Sequence, residues 1–173
     1  MYRSQLRKDG PLARSVNGGC LNIKPYVAAA ALNRGDFVLI SSGQAAQAIA
    51  LPGSANSASA SGGSTAVLGV CAGKCDSGAT VDVIIADDQT EFMLRLYNST
   101  ASSAEQQDVT LGTAYQYSRY RGAGSTEADA WYVLSQTTTN GECIVTEKSP
   151  TSAAADDYGI VWVKIAAARR ALG

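Results

Sequence analysis

Histidine is missing from all 173 residues. That absence removes the usual general base near neutral pH and the commonest ligand for transition metals. Ser-His-Asp and Cys-His catalysis and histidine-containing zinc sites are all excluded. Any catalytic centre would have to be built from carboxylates, lysine, tyrosine or an unassisted thiol. Long apolar runs are missing too, since no stretch approaches the ~20 residues that cross a bilayer as a helix. The opening "MYRSQLRKDGPLARS" carries no apolar core of a secretory signal. The chain is therefore expected to be made in the cytoplasm, with no membrane contact. Only four cysteines are present, too few for a disulfide scaffold at this length. Charged residues are sparse at 17%, but hydrophobic content of 46% is enough for a packed core.

The few charges are unevenly placed. From Met1 to Arg34 the basic residues are Arg3, Arg7, Lys8, Arg14, Lys24 and Arg34, against Asp9 alone. From Gly35 to Val163 five basic residues face fourteen Asp and Glu. The end "KIAAARRALG" adds Lys164, Arg169 and Arg170. Basic ends thus flank an acidic body. Such a body argues against a nucleic-acid partner for the folded part, and the basic N-terminal stretch has only Tyr2 and Tyr26 as stacking aromatics.

Residues 1–33 show no regular period, and Gly10-Pro11 and Asn17-Gly18-Gly19 are breakers. They predict an extended basic arm, with at most one helical turn at "YVAAAALN". From residue 34 to 166 short β-rich segments alternate with Gly, Asn, Asp and Ser: 36–41, 46–51, 66–72, 80–86, 91–97, 113–120, 130–136, 142–148 and 158–165. The fold class expected is all-β, a small antiparallel barrel or sandwich of about nine short strands. No helical stretch of crossover length separates the strands, which excludes a parallel α/β fold. Residues 167–173 read as a basic C-terminal tail. Two low-complexity stretches, "PGSANSASASGGS" at 52–64 and "STASSAEQQD" at 99–108, read as loops, the second with a short polar helix as the other option.

The motif with the strongest look of chemistry is "CAGKC", Cys71 to Cys75. A zinc clip needs paired Cys-x2-Cys or thiolates with histidine. A thioredoxin-type pair needs Cys-x2-Cys opening a helix. Here the spacing is Cys-x3-Cys in a strand-and-turn setting, and Cys20 and Cys143 are isolated. The pair reads as a small apolar strand residue followed by a turn residue. "RGD", Arg34 to Asp36, matches an adhesive tripeptide but sits where a turn should open the first β segment. Asp87-Asp88 and Asp156-Asp157 lack the surrounding pattern of a calcium loop and read as turn residues. "SGGST" lacks the lysine of a phosphate-binding loop. Tyr115, Tyr117, Tyr120, Trp131, Tyr132, Tyr158 and Trp162 lie in predicted strands or at their ends and read as core or subunit-interface packing, with a sugar-stacking platform as the minority role. Neither a cofactor nor a metal site is expected, and the chain does not read as an enzyme.

Gly35-Asp36-Phe37-Val38, Val67-Leu68-Gly69-Val70, Gly78 through Ile85 and Gly159 through Ile165 form a succession of glycine-marked apolar strands, the second with its glycine inside the run. In this the chain, over roughly 34–165, resembles the small β-barrel decoration, or cement, proteins of tailed-bacteriophage heads. The resemblance implies a structural virion protein that binds the outer surface of a capsid and bridges capsomers. It further implies the major capsid protein as partner and a homotrimer as assembly. Arg3, Arg7, Lys8 and Arg14 are the expected capsid contacts, carried by the basic arm. The alternatives are another virion part, such as a head-fibre base or tail component, and a carbohydrate-binding β module.

Overall fold

The computed structural model describes residues 12–41, 43–47, 67–97, 105–120, 130–136, 138, 141–150 and 159–172. Among these the protein is all-β. Twelve strands run in chain order: β1 (Leu12–Ser15), β2 (Ile23–Val27), β3 (Phe37–Ser41), β4 (Gln44–Gln47), β5 (Val67–Cys71), β6 (Thr80–Ile85), β7 (Thr90–Tyr97), β8 (Ala114–Tyr115), β9 (Tyr117–Tyr120), β10 (Ala130–Leu134), β11 (Cys143–Lys148) and β12 (Ile160–Ile165). Two single 3-10 turns, Gln106–Asp108 and Ala167–Arg169, are the only helical elements among the described residues.

The strands form two sheets. The larger has the order β8-β11-β12-β7-β10-β9, with β1 sharing an edge of β7 with β10. Strand β1 pairs with the first half of β7, from Leu12 opposite Met93 to Ser15 opposite Thr90. Strand β10 takes the second half, in parallel, with Tyr132 opposite Arg95. The smaller sheet has the order β2-β6-β5-β3-β4. It curls into a half-barrel, since Ala28, just past β2, bridges Ala45 on the far strand β4, with Ala29 N–H donating to the Ala45 carbonyl at 2.8 Å.

Alternation along the strands distributes side chains among three apolar clusters. Between the sheets lie Phe92, Leu94 and Leu96 of β7, Val161, Val163 and Ile165 of β12, and Phe37, Val67 and Val70 of the smaller sheet. Phe37 meets Phe92 edge-on at 5.4 Å and Tyr117 at 4.8 Å between ring centroids, which locks one sheet to the other through aromatic packing. Within the half-barrel lie Leu32, Val38, Ala45, Leu68, Cys71, Val81, Val83 and Ile85. On the outer face of the larger sheet a third cluster holds Met93, Ile160 and Trp162, with Leu12 packed against it.

Two bulges make this sorting work. Val38 and Leu39 are opposite Gly69 and Val67, so Leu68 is the extra residue on β5. The extra residue breaks the period of two. Val67 and Val70 then face the intersheet core while Leu68 and Cys71 face the half-barrel. Gly69 is required there, because a Cβ would stand 1.9 Å from the Ile84 carbonyl oxygen of β6. On β11, Val145 and Glu147 are opposite Val163 and Trp162, so Thr146 is the extra residue. Glu147 shares the parity of the core residues Cys143 and Val145, and only the bulge turns it to the outer face beside Trp162.

The expected arm is shorter than its sequence suggests. Residues 12–33 belong to the fold, through β1 in one sheet and β2 in the other. The stretch expected as a helical turn makes two bridges instead, Ala28 to Ala45 and Leu32 to Cys75. The C-terminal tail is docked as well: Ala171 N–H donates to the Val67 carbonyl at 2.8 Å. The segment expected as one strand at 113–120 splits into β8 and β9, which lie at opposite edges of the larger sheet. Residues 1–11 and the 52–64 stretch lie outside the described residues.

Candidate functional site

The residues that sequence marks for function divide sharply in the structure. Arg14 is placed by β1 on the outer face of the larger sheet. Its Nε donates to Glu91 Oε2 at 2.8 Å, and its Nη2 reaches both Glu91, at 2.7 Å, and Glu147. The same guanidinium lies 4.0 Å over the Trp162 ring centroid. Each partner comes from a different strand: β7, β11 and β12. Burial works against the Arg14 charge, but hydrogen bonds to Glu147 and Glu91 outweigh it and raise the guanidinium's affinity for its proton. Arg14 therefore clamps β1 to the body. Sequence supplied the charge imbalance that signals such a pairing, but not the partner: Glu147 reaches the right face only through the Thr146 bulge. Arg3, Arg7 and Lys8 lie outside the described residues.

The basic C-terminus closes in the same way. Arg170 donates from Nε to the Ile165 carbonyl at 2.9 Å and pairs through Nη1 with Asp88. Its side chain is 8% exposed and that of Asp88 is 79% exposed, so a buried cation meets a carboxylate at the surface. Asp88 thus has a partner, and Asp87 caps the β6–β7 turn: Oδ1 accepts from Gln89 N–H at 3.0 Å and Thr90 Oγ1 at 2.8 Å, and Oδ2 from Asn22 Nδ2 at 3.2 Å. Burial acts to raise the Asp87 carboxyl and these hydrogen bonds overcome it, leaving it below the usual carboxylate range. This pair serves the turn, as sequence suggested; Asp156 and Asp157 lie outside the described residues.

The Arg34–Asp36 tripeptide forms a turn before β3. Gly35 has φ of 86°, and Asn33 N–H donates to Asp36 Oδ2 at 2.9 Å. Asp36 is buried, which withdraws the carboxylate an adhesive motif must present. The aromatics follow the packing expectation where they are described. Tyr115 and Tyr117 are buried in the intersheet core, Tyr115 accepting Thr110 N–H at 2.9 Å through its hydroxyl. Trp162 is covered by Arg14 and Leu12. None of these three offers an open face to a sugar.

All four cysteines are free thiols: Cys20 exposed, Cys75 half-buried, and Cys71 and Cys143 buried. Burial pushes the Cys71 thiol up to about 12 and the Cys143 thiol higher still. Both are protonated at neutral pH and are poor nucleophiles as they stand. No cluster of three or more Cys, Asp or Glu suited to a metal ion exists among the described residues. No helix among them is long and apolar enough to cross a membrane.

No family model matches the chain, and no curated protein matches it.

Proposed function

We propose that the protein is a structural component of a phage virion, a decoration protein that binds the outer surface of the capsid and stabilises it by bridging capsomers. The observation that carries this reading is where the four glycine-marked segments fall. They coincide with β3, β5, β6 and β12, and the first three are direct neighbours, β6-β5-β3, in the half-barrel. Three of the four stretches that resemble cement proteins thus form the middle of the half-barrel, and the fourth, β12, lies in the larger sheet.

The internal pairing of Arg14 and Arg170 refines the docking reading. Both cations are engaged by the protein's own carboxylates, so the capsid contacts fall to Arg3, Arg7 and Lys8. These precede β1, the strand that pairs with β7 in the larger sheet. Their individual contacts with surface carboxylates would contribute only ~0.2–1 kcal/mol each. A homotrimer would add them through multivalency, and bound copies would favour the intact shell by mass action. The major capsid protein is the partner and the capsid exterior the location.

The test is co-sedimentation of the purified protein with expanded, undecorated heads, read as copies bound per head. Saturation at a fixed ratio set by the lattice supports the proposal. Heads that sediment without the protein at saturating concentration refute it.

A further inference from the structure

We propose that Cys71 and Cys75 are a redox-closable pair, joining as a disulfide on two-electron oxidation and fastening one end of the half-barrel. This inference is independent of the virion reading. It rests on a juxtaposition that the Cys-x3-Cys spacing alone does not reveal.

Both cysteines are tied by main-chain hydrogen bonds to one short segment, residues 32–36. Cys71 N–H donates to the Asp36 carbonyl at 2.9 Å, and the Cys71 carbonyl accepts from Gly35 N–H at 2.8 Å. Cys75 exchanges a reciprocal pair with Leu32, both at 3.0 Å. The three residues between them loop out and return to the same turn. Both side chains then fall on the same apolar cluster, Cys71 buried within it and Cys75 packed against it. Cys75 is close enough to contribute to the raised proton affinity of the Cys71 thiol. The other partner of the Cys71 thiol is the Gly73 carbonyl at 3.4 Å, within the loop itself. Gly73 has open space where a side chain would stand, so the loop can adjust without meeting a neighbour. The other two thiols lack this arrangement: Cys20 is exposed, and Cys143 is buried against the Tyr115 carbonyl.

The exposures assign the order of events. With a peroxide as oxidant, the half-buried Cys75 sulfur, as thiolate, attacks one peroxide oxygen. The O–O bond breaks, hydroxide leaves and takes up the released proton as water, and Cys75 becomes a sulfenic acid. Cys71 then attacks the Cys75 sulfur, the S–O bond breaks, and the Cys71 proton leaves with the hydroxide as a second water. Two thiols and one hydrogen peroxide give one disulfide and two waters. Desolvation keeps Cys71 protonated and unreactive towards the oxidant, so Cys75 reacts first and Cys71 becomes the nucleophile only as its proton passes to the departing hydroxide.

The experiment uses the full chain carrying Cys20→Ser, treated with hydrogen peroxide, alkylated and digested with trypsin without reduction. Cleavage after Lys74 separates the two cysteines, so a disulfide holds two peptides together that reductant releases. The expected result is loss of two hydrogens from the intact mass, a linked Cys71–Cys75 peptide pair, and a higher melting temperature that reverts on reduction. In the Cys71→Ala background Cys75 should instead proceed to sulfinic acid, with no linked peptide. Accumulation of Cys75 sulfinic acid while Cys71 remains fully alkylated in the Cys20→Ser protein overturns the proposal. That outcome is read without relying on the Cys71→Ala variant being folded.

Discussion

Replacing Arg14 by alanine should destabilise the whole domain, although the residue lies in a four-residue strand near the chain end. The Glu91 side chain is only 6% exposed, and its described partner is Arg14. Removing one member of a fully buried ion pair costs about 3–5 kcal/mol, because the other charge is left desolvated. Arg14 itself is 37% exposed, so water can reach the vacated position and screening roughly halves that figure. Loss of the contact to the Trp162 face adds about 0.5–1 kcal/mol, and loss of the more exposed Glu147 pair a few tenths to 1 kcal/mol. The expected total is about 2–4 kcal/mol, or roughly 5–15 °C in melting temperature for a chain of this size. Urea and thermal unfolding, followed by circular dichroism and tryptophan fluorescence, measure it. Adding Glu91→Gln to Arg14→Ala should recover part of the loss, since it removes the uncompensated charge rather than a further contact. A single-variant change below about 0.5 kcal/mol, the level of an ordinary surface substitution, would refute the clamp and return Arg14 to a free arm.

The remaining predictions concern single positions. Gly69→Ala should cost about 3 kcal/mol or more and yield little folded protein, because the obstacle at 1.9 Å is backbone and not a movable side chain; chemical denaturation gives the value. Gln106→Ala should cost about 1–2 kcal/mol, since its Nε2 donates to the Ser149 and Ile160 carbonyls at 2.9 and 2.7 Å in a buried setting and the Ile160 carbonyl keeps the Ser149 N–H at 3.0 Å. Asp87 has a depressed folded-state value, so its contribution is present above the unfolded carboxylate value of about 3.9 and is lost as pH falls through the folded value. Asp87→Asn should therefore lower stability at neutral pH and flatten the acid limb below about pH 4, as read from melting temperature against pH.

Much of the fold is legible in the sequence because period-two alternation and glycine punctuation are local signals. The segments at 80–86, 91–97, 142–148 and 158–165 correspond to β6, β7, β11 and β12. What was not legible is non-local. The LARS of β1 and the IKPYV of β2 carry no alternation, since β1 is half-buried throughout and β2 largely exposed. Their strand character comes from pairing with β7 and β6. Gly69 could be suspected of a bulge or close approach from its place inside an apolar run; it makes the close approach, and its neighbour Leu68 is the bulge residue. Thr146 gives no such sign, so the parity of Glu147 points to the wrong face when read from sequence. The charge split between ends and body was visible, yet its acceptor was not. From Arg14 onward the surface that the basic ends grip includes the protein's own carboxylates at Glu91, Glu147 and Asp88. The shared anchoring of Cys71 and Cys75 likewise depends on the 32–36 turn, which lies far away in sequence.

The proposed docking role turns on the residues before β1, and two truncations test it together. Deleting 1–11 removes Arg3, Arg7 and Lys8 but spares β1 and its Arg14 clamp; deleting 1–16 removes all of them. Both proteins should be measured for unfolding stability and for copies bound to expanded heads. The account predicts that the shorter deletion keeps full stability and loses head binding, while the longer one also loses about 2 kcal/mol or more of stability through the missing clamp. Undiminished binding of the shorter deletion at the same copy number per head would contradict it.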